Sequence, residues 1–160
     1  MKIIQQYIQE KLKLNKDIKV NEYTCHPKDR FELRKILEER LKEDKNAYLN
    51  DIDVSKITDM SALRLGQSLF YHLDPHNIDI SSWNVGNVTN MSFMFYGCEN
   101  FNCDISEWDV RKVTNMNAMF YGCENFYCNL NNWDVSNVDN MNGIFEYCPL
   151  ENNPPKWYKK

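Results

Sequence analysis

A unit of 25 residues recurs through the second half of this chain, and that period limits the folds open to it more than any other feature. In register the copies read WNVGNVTNMSFMFYGCENFNCDISE, WDVRKVTNMNAMFYGCENFYCNLNN and WDVSNVDNMNGIFEYCPL, beginning at Trp83, Trp108 and Trp133. Met91, Met116 and Met141 keep the spacing, as do Phe95, Phe120 and Phe145, and Cys98, Cys123 and Cys148. A fixed period of about 20–50 residues is the signature of a solenoid, in which each unit buries its apolar side only by stacking on a neighbour. A degenerate earlier copy, IDVSKITDMSAL, aligns when Met60 is set on Met91. That offset of 31 puts an insertion within LRLGQSLFYHLDPH, with Leu73-Asp74-Pro75-His76 as its loop.

Two local patterns alternate inside a unit. Val88, Met91, Met94 and Phe95 follow a three-to-four spacing that predicts a short helix, capped by Asn90 and ended by Gly97. Phe101, Cys103 and Ile105 alternate with polar residues, the period of a half-buried strand. Parallel pairing of such strands turns Ile80, Ile105 and Leu130 inward. Asp79, Ser81, Asp104, Ser106, Asn129 and Asn131 then share an outer face. The Phe95, Phe120 and Phe145 column reads as core.

Ahead of the repeats, residues 1–14 carry Ile4, Tyr7, Ile8 and Leu12 at helical spacing, and residues 18–25 alternate as a strand that His26-Pro27 ends. Phe31, Leu33, Ile36, Leu37 and Leu41 predict a second helix from Lys28 to about Asp44, with Pro27 in its first turn and its charges on a solvated face. The chain therefore divides into a cap at 1–48 (helix, strand, helix), about four repeat units at 49–148 and an extended tail at 149–160. Cys148-Pro149 interrupts the pattern, and Pro154 and Pro155 favour extension.

Charge is uneven along the sequence. Residues 78–148 hold only Arg111 and Lys112 against nine acidic side chains, so the array repels phosphate backbones and suits a basic protein surface. No direct nucleic-acid or membrane contact is expected. Nothing approaches the roughly 18 apolar residues of a spanning helix, and MKIIQQYIQEKLKLNK has no apolar signal core, so the expected location is the cytoplasm. The Cys98–Cys123–Cys148 and Cys103–Cys128 columns read as buried structural thiols. Neither a metal nor a cofactor is expected: the cysteine spacing lacks neighbouring histidines for zinc, and the Asp79, Asp104, Asn129 series lacks a calcium loop.

The order of residues in NVTNMSFMFYGCENFNCDISEWDV resembles the repeat of the BspA-like leucine-rich repeat proteins, a bacterial family with the approximate pattern WDVSNVTNMxxMFxGCxxFNxDIS. Trp108, Asp109, Val110, Val113, Thr114, Asn115, Met116, Met119, Phe120, Gly122, Cys123 and Phe126 match it, and the resemblance covers roughly Leu49 to Leu150. It implies an α/β fold: a right-handed leucine-rich-repeat-like solenoid with parallel strands and short helices, used for protein contacts. Relatives of that kind are often surface proteins that bind host matrix proteins or mediate adhesion. This sequence departs from them in showing no signal peptide, lipidation cysteine or anchoring tail, which by analogy points instead to a phage or mobile-element inhibitor of a bacterial enzyme or defence protein.

The leading functional expectation is a non-enzymatic binding module. Its contact residues are Asp79, Ser81, Asp104, Ser106, Glu107, Asn129 and Asn131, with Tyr127 as aromatic anchor because it replaces Asn102 of the preceding unit. A second surface consists of Tyr96, Glu99, Tyr121 and Glu124. The competing enzyme reading would use Cys25 with His26, His72 or His76, around which no nucleophile elbow, glycine-rich loop or paired-carboxylate motif is found.

Overall fold

A computed structural model describes residues 23–64, 67–73 and 78–159. The helix expected at 1–14, most of the strand expected at 18–25 and the Asp74–His76 part of the loop lie outside these residues. Helix α1, Arg30–Glu43, opens on Asp29, whose side chain accepts from the N–H groups of Phe31 and Glu32. The Lys28 N–H in turn donates to Glu32 Oε2 at 2.9 Å. Leu33, Leu37 and Leu41 form its buried stripe, whereas Phe31 remains 59% exposed. Pro27 stands two residues ahead of the cap rather than in the first turn, and is itself buried.

The repeats stack, but not as an α/β solenoid of strands and short helices. Among the described residues there is no β-strand or sheet, and the only helices are α1 and a 3-10 turn at Pro149–Glu151. Parallel contact between units is confined to isolated bridges such as Asp59 with Asn90, Asn90 with Asn115, and Asn115 with Asn140. The physical reason is that each unit is a coil of consecutive tight turns. In the unit from Trp108, i→i+3 bonds run Trp108 N to Ile105 O, Val113 N to Val110 O, Met119 N to Met116 O, Tyr121 N to Ala118 O, Cys123 N to Phe120 O and Phe126 N to Cys123 O.

Side chains build these turns. Asp104, Asp109 and Asn115 each accept through Oδ1 from the N–H two residues on, at Ser106, Arg111 and Asn117, and the neighbouring coils repeat the arrangement. An N–H held by its own Asx side chain is withdrawn from any strand ladder. The expected short helix fails for a different reason. Phe93 and Gly97 take φ of +57° and +68°, Ala118 and Gly122 +49° and +70°, and Gly143 and Tyr147 +63° and +57°. A left-handed residue twice within one turn-rich segment is incompatible with helix propagation.

Coil-to-coil bonding follows the repeat. Met116, Ala118, Phe120 and Gly122 donate their N–H groups to the carbonyls of Asn140, Asn142, Ile144 and Glu146, and the coil before repeats this row on Asn115, Asn117, Met119 and Tyr121. Between the coils runs an aromatic core. Phe95, Phe120 and Phe145 stack at 5.7 and 6.0 Å, while Phe101 and Phe126 pack beside them, 4.0 Å from Phe95 and 4.4 Å from Phe120. Each indole of the buried Trp column donates to a carbonyl one coil back, Trp108 to Ile80 at 3.2 Å and Trp133 to Ile105 at 3.1 Å. This explains Trp where Phe would fill the same space.

Two ends finish the stack. At the amino-terminal end, Arg34 of α1 donates through Nη1 and Nη2 to the carbonyls of Leu69 and Tyr71, at 2.8 and 2.7 Å. Arg40 grips Asp51 with both nitrogens, at 2.6 and 2.9 Å, and Arg30 reaches Asp59 and Ser61. These α1 charges therefore dock the helix instead of lining a solvated face. At the other end the residues after Cys148 do not extend away. Pro155 is buried, the Trp157 indole donates to Leu130 O at 2.6 Å, and Trp157 and Tyr158 pack on Phe145. They complete the last coil, one residue out of register with the Trp column.

Candidate functional site

Asp79, Asp104 and Asn129 occupy the same place in successive coils, each folding its carboxylate or amide oxygen onto the N–H of Ser81, Ser106 or Asn131. The side chains of Ser81 and Asn131 add second bonds of 2.6 and 2.8 Å. All of these residues reach solvent at least in part, while Ile80, Ile105 and Leu130 between them point inward. The inward and outward assignment read from the sequence thus survives, although turns and not strands produce it.

Tyr127 is 65% exposed and stands on this face, its N–H anchored to Asn102 Oδ1 at 3.1 Å. On one side lies a shallow groove of about 330 Å³ that includes Asp104, Ser106, Cys128 and Asn129. On the other, a groove of about 260 Å³ runs over Asn129 and Asn131 to the tail residues Asn153, Pro154 and Pro155. Asp104, Ser106, Tyr127, Asn129 and Asn131 are therefore brought together. Asp79 and Ser81 continue the column one coil back, and Glu107 is exposed beside Ser106 but lines neither groove.

Local hydrogen bonding sets the charge of this face. Desolvation pushes the Asp79 carboxyl up, but the bonds from Ser81 and Asn50 outweigh it, and the net position is below the usual carboxylate range. The N–H and hydroxyl of Ser106 and the thiol of Cys128 hold Asp104 low in the same way. Both stay ionised at neutral pH. Among the described residues no ion pair engages Asp79, Asp104 or Glu107. Cys128 Sγ lies 3.5 Å from Asp104 Oδ1, and desolvation, with the adjacent carboxylate, pushes its thiol up to about 11. At neutral pH it is a protonated thiol in the groove wall.

The second surface forms a ladder of rings. Tyr96 and Tyr121 stack at 4.8 Å, Tyr147 meets Tyr121 edge-on at 5.1 Å, and Phe93 lies 5.7 Å from Tyr96. Glu99 and Glu124 are exposed alongside. Tyr147, 67% exposed, was hidden from the periodicity because it sits one position beyond the register of Tyr121.

The residues of the competing reading are separated by their contacts. Cys25 Sγ accepts from Arg40 Nη2 at 3.3 Å, while His26 Nδ1 lies 3.2 Å from Asp53. His72 packs on the ring of Tyr71 at 3.8 Å, and His76 is outside the described residues. Burial and the neighbouring cysteines raise Cys123 well above the ordinary thiol range, and burial carries Cys148 to about 11.

No helix of the described residues is long and apolar enough to cross a membrane. No curated protein and no solved structure matches the chain. A family model does match, over residues 32–157, and so reaches from inside α1 through the last coil to the Trp157 indole that closes it. The chain belongs to the family described as Mycoplasma protein of unknown function, DUF285.

Proposed function

We propose that the acidic face around Tyr127 is a protein-docking surface that receives a basic patch of a partner, and that the chain works by binding rather than catalysis. The observation that carries this reading is a surplus of charge. Asn129 builds the same turn with a neutral amide that Asp79 and Asp104 build with carboxylates, so the turn does not require the acids. Together with Glu107 they leave uncompensated negative charge beside an exposed aromatic anchor and two grooves, a combination suited to fast, salt-sensitive association. We also infer that these coils and the BspA-like repeat are one repeat type, on the strength of the shared order of Trp, Val, Met, Phe, Gly and Cys.

Asp104→Asn with Glu107→Lys removes charge while keeping the Asx turn, and Tyr127→Ala removes the anchor. The partner is to be identified by crosslinking through a photoreactive residue at position 127, then measured with purified components. The charge variant is expected to slow association about 10-fold at low salt, with the effect shrinking at 0.5 M salt or so. Unchanged association of both variants at low salt would refute the reading.

A further inference from the structure

The two ends of the stack are finished unequally, and the difference exposes an interaction surface separate from the acidic face. Along the longer row of bonds between coils, each coil offers N–H donors to the carbonyls of the coil that follows, while a shorter row runs the other way, from Thr114 N–H to Thr89 O and from Asp139 N–H to Thr114 O. Along that longer row, one end of the molecule shows spare carbonyls and the other spare donors. The spare carbonyls of Leu69 and Tyr71, which occupy the places of Met94 and Tyr96 in the next coil, are both taken by the Arg34 guanidinium. At the opposite end, Tyr147 N–H is taken by Glu151 Oε2 at 3.1 Å. For the N–H groups of Met141, Gly143 and Phe145, no acceptor is found among the described residues.

The apolar side chains tell the same story. Val110, Val113 and Met116 are 0–1% exposed in the interior coil, but their counterparts Val135, Val138 and Met141 are only partly buried, as are Trp157 and Tyr158 at the same end. Among the described residues no α-helix covers this face as α1 covers the other.

We propose that this terminal face binds an extended polypeptide segment of a partner, which docks as one further coil and supplies backbone carbonyls at every second residue. The inner seams define what such an occupant looks like: Asn140, Asn142 and Ile144 present their carbonyls to Met116, Ala118 and Phe120. The same stereochemistry argues against a second copy docking end to end through this face. The carbonyls of Met141, Gly143 and Phe145 are consumed within their own coil by the N–H groups of Ile144, Glu146 and Cys148, so along this row two such edges would set donors against donors. Docking of this face on the other end of a copy is blocked by α1. The occupant is therefore a different chain that adds to an open edge, as β-augmentation does, here on a turn-built edge.

The probe is an acetylated, amidated peptide with the sequence RKVTNMNAMFYG, residues 111–122 of this chain, which carries the carbonyl row of an inner coil. With the full chain and millimolar peptide, amide exchange at Met141, Gly143 and Phe145 is expected to slow by about 10-fold or more, while the Met116, Ala118 and Phe120 amides keep their rates. A scrambled peptide of equal composition should give no protection. Met141→Lys, which places a charge on the face, should abolish the effect, and Val138→Asp serves as a second variant should the first unfold. The acidic-face variant Asp104→Asn/Glu107→Lys should bind the peptide normally, which separates this surface from the other. Absence of protection at the three amides overturns the proposal. So does equal protection by the scrambled peptide, or concentration-dependent protection of the same amides in the chain alone.

Discussion

Left-handed residues and Asx oxygens shape each coil, and their consequences can be measured one side chain at a time. Gly122 sits at φ +70°, where a Cβ meets only backbone atoms of Gly97 at 3.6 Å or more, so Gly122→Ala introduces conformational strain rather than a clash. It is expected to destabilise by about 1–2 kcal/mol in a denaturant titration. Gly86 is the control. Its place is taken by Arg111 and Ser136 in later coils, and its Cβ would meet Asn84 Oδ1 at 3.3 Å, so Gly86→Ala should stay within about 0.5 kcal/mol of the parent. The desolvated thiols give a second test, at alkaline pH. Cys128 and Cys148 lose their protons at about 11 in the folded chain, against an ordinary value of 9.0. Below 9 both states hold these protons and stability is flat. Between about 9 and 11 the unfolded chain releases them first, so stability falls with rising pH. Cys128→Ser should flatten that fall in pH-dependent melts, whereas a fall of unchanged slope would remove the thiol from its account.

At the scale of elements, α1 is held by its cations as much as by its leucines. The Arg34 fork satisfies two carbonyls and also meets Glu38 Oε1 at 2.7 Å, with its side chain 13% exposed. Arg34→Met keeps the packing of the stem but leaves both carbonyls unpaired, and is expected to cost about 2–4 kcal/mol by denaturant titration. Lys at this position should recover only part of the loss, because an ammonium cannot reproduce the fork. The helix itself was legible in the sequence, since Leu33, Leu37 and Leu41 recur at helical spacing, but its start was not, because Asp29 rather than Pro27 opens it. The role of Arg34 was not, because its partners are carbonyls 35 and 37 residues away in sequence, and a carbonyl has no sequence signature. The coils were misread for a related reason. The alternation of Phe101, Cys103 and Ile105 places side chains correctly in and out, but any extended turn does so too. What decides against a strand is where the N–H groups go, and Asp-x-Ser, Asp-x-Arg and Asn-x-Asn steps send them to local side chains. Of the candidate site, the outward column was visible in the alternation of each unit, and Tyr127 as a departure from the repeat. The tail that walls one groove was not, since its Trp157 closes the last coil one residue early.

Over the whole molecule, the seams between coils are chemically alike, with the same donors, the same aromatic stack and the same indole bond repeated at each. A second copy of residues 109–133 inserted after Trp133 should therefore be accepted, with a cooperative melt at or above the parent's temperature. The same insertion shortened by one residue should broaden or lower the melt, because it throws every following Asx turn and left-handed residue out of register. Equal melts for the two insertions would mean that the register carries no stabilisation.

Arg34 fixes where the stack begins, and among the described residues no second α-helix fixes how tall it is. Adjacent rings of the Phe95, Phe120 and Phe145 column are 5.7 and 6.0 Å apart, so every unit gained or lost moves the far face by about that step. The separation between the helix-capped base and the open face is consequently a discrete quantity, countable in whole units. In a chain built in this way, that separation changes without redesign of either end.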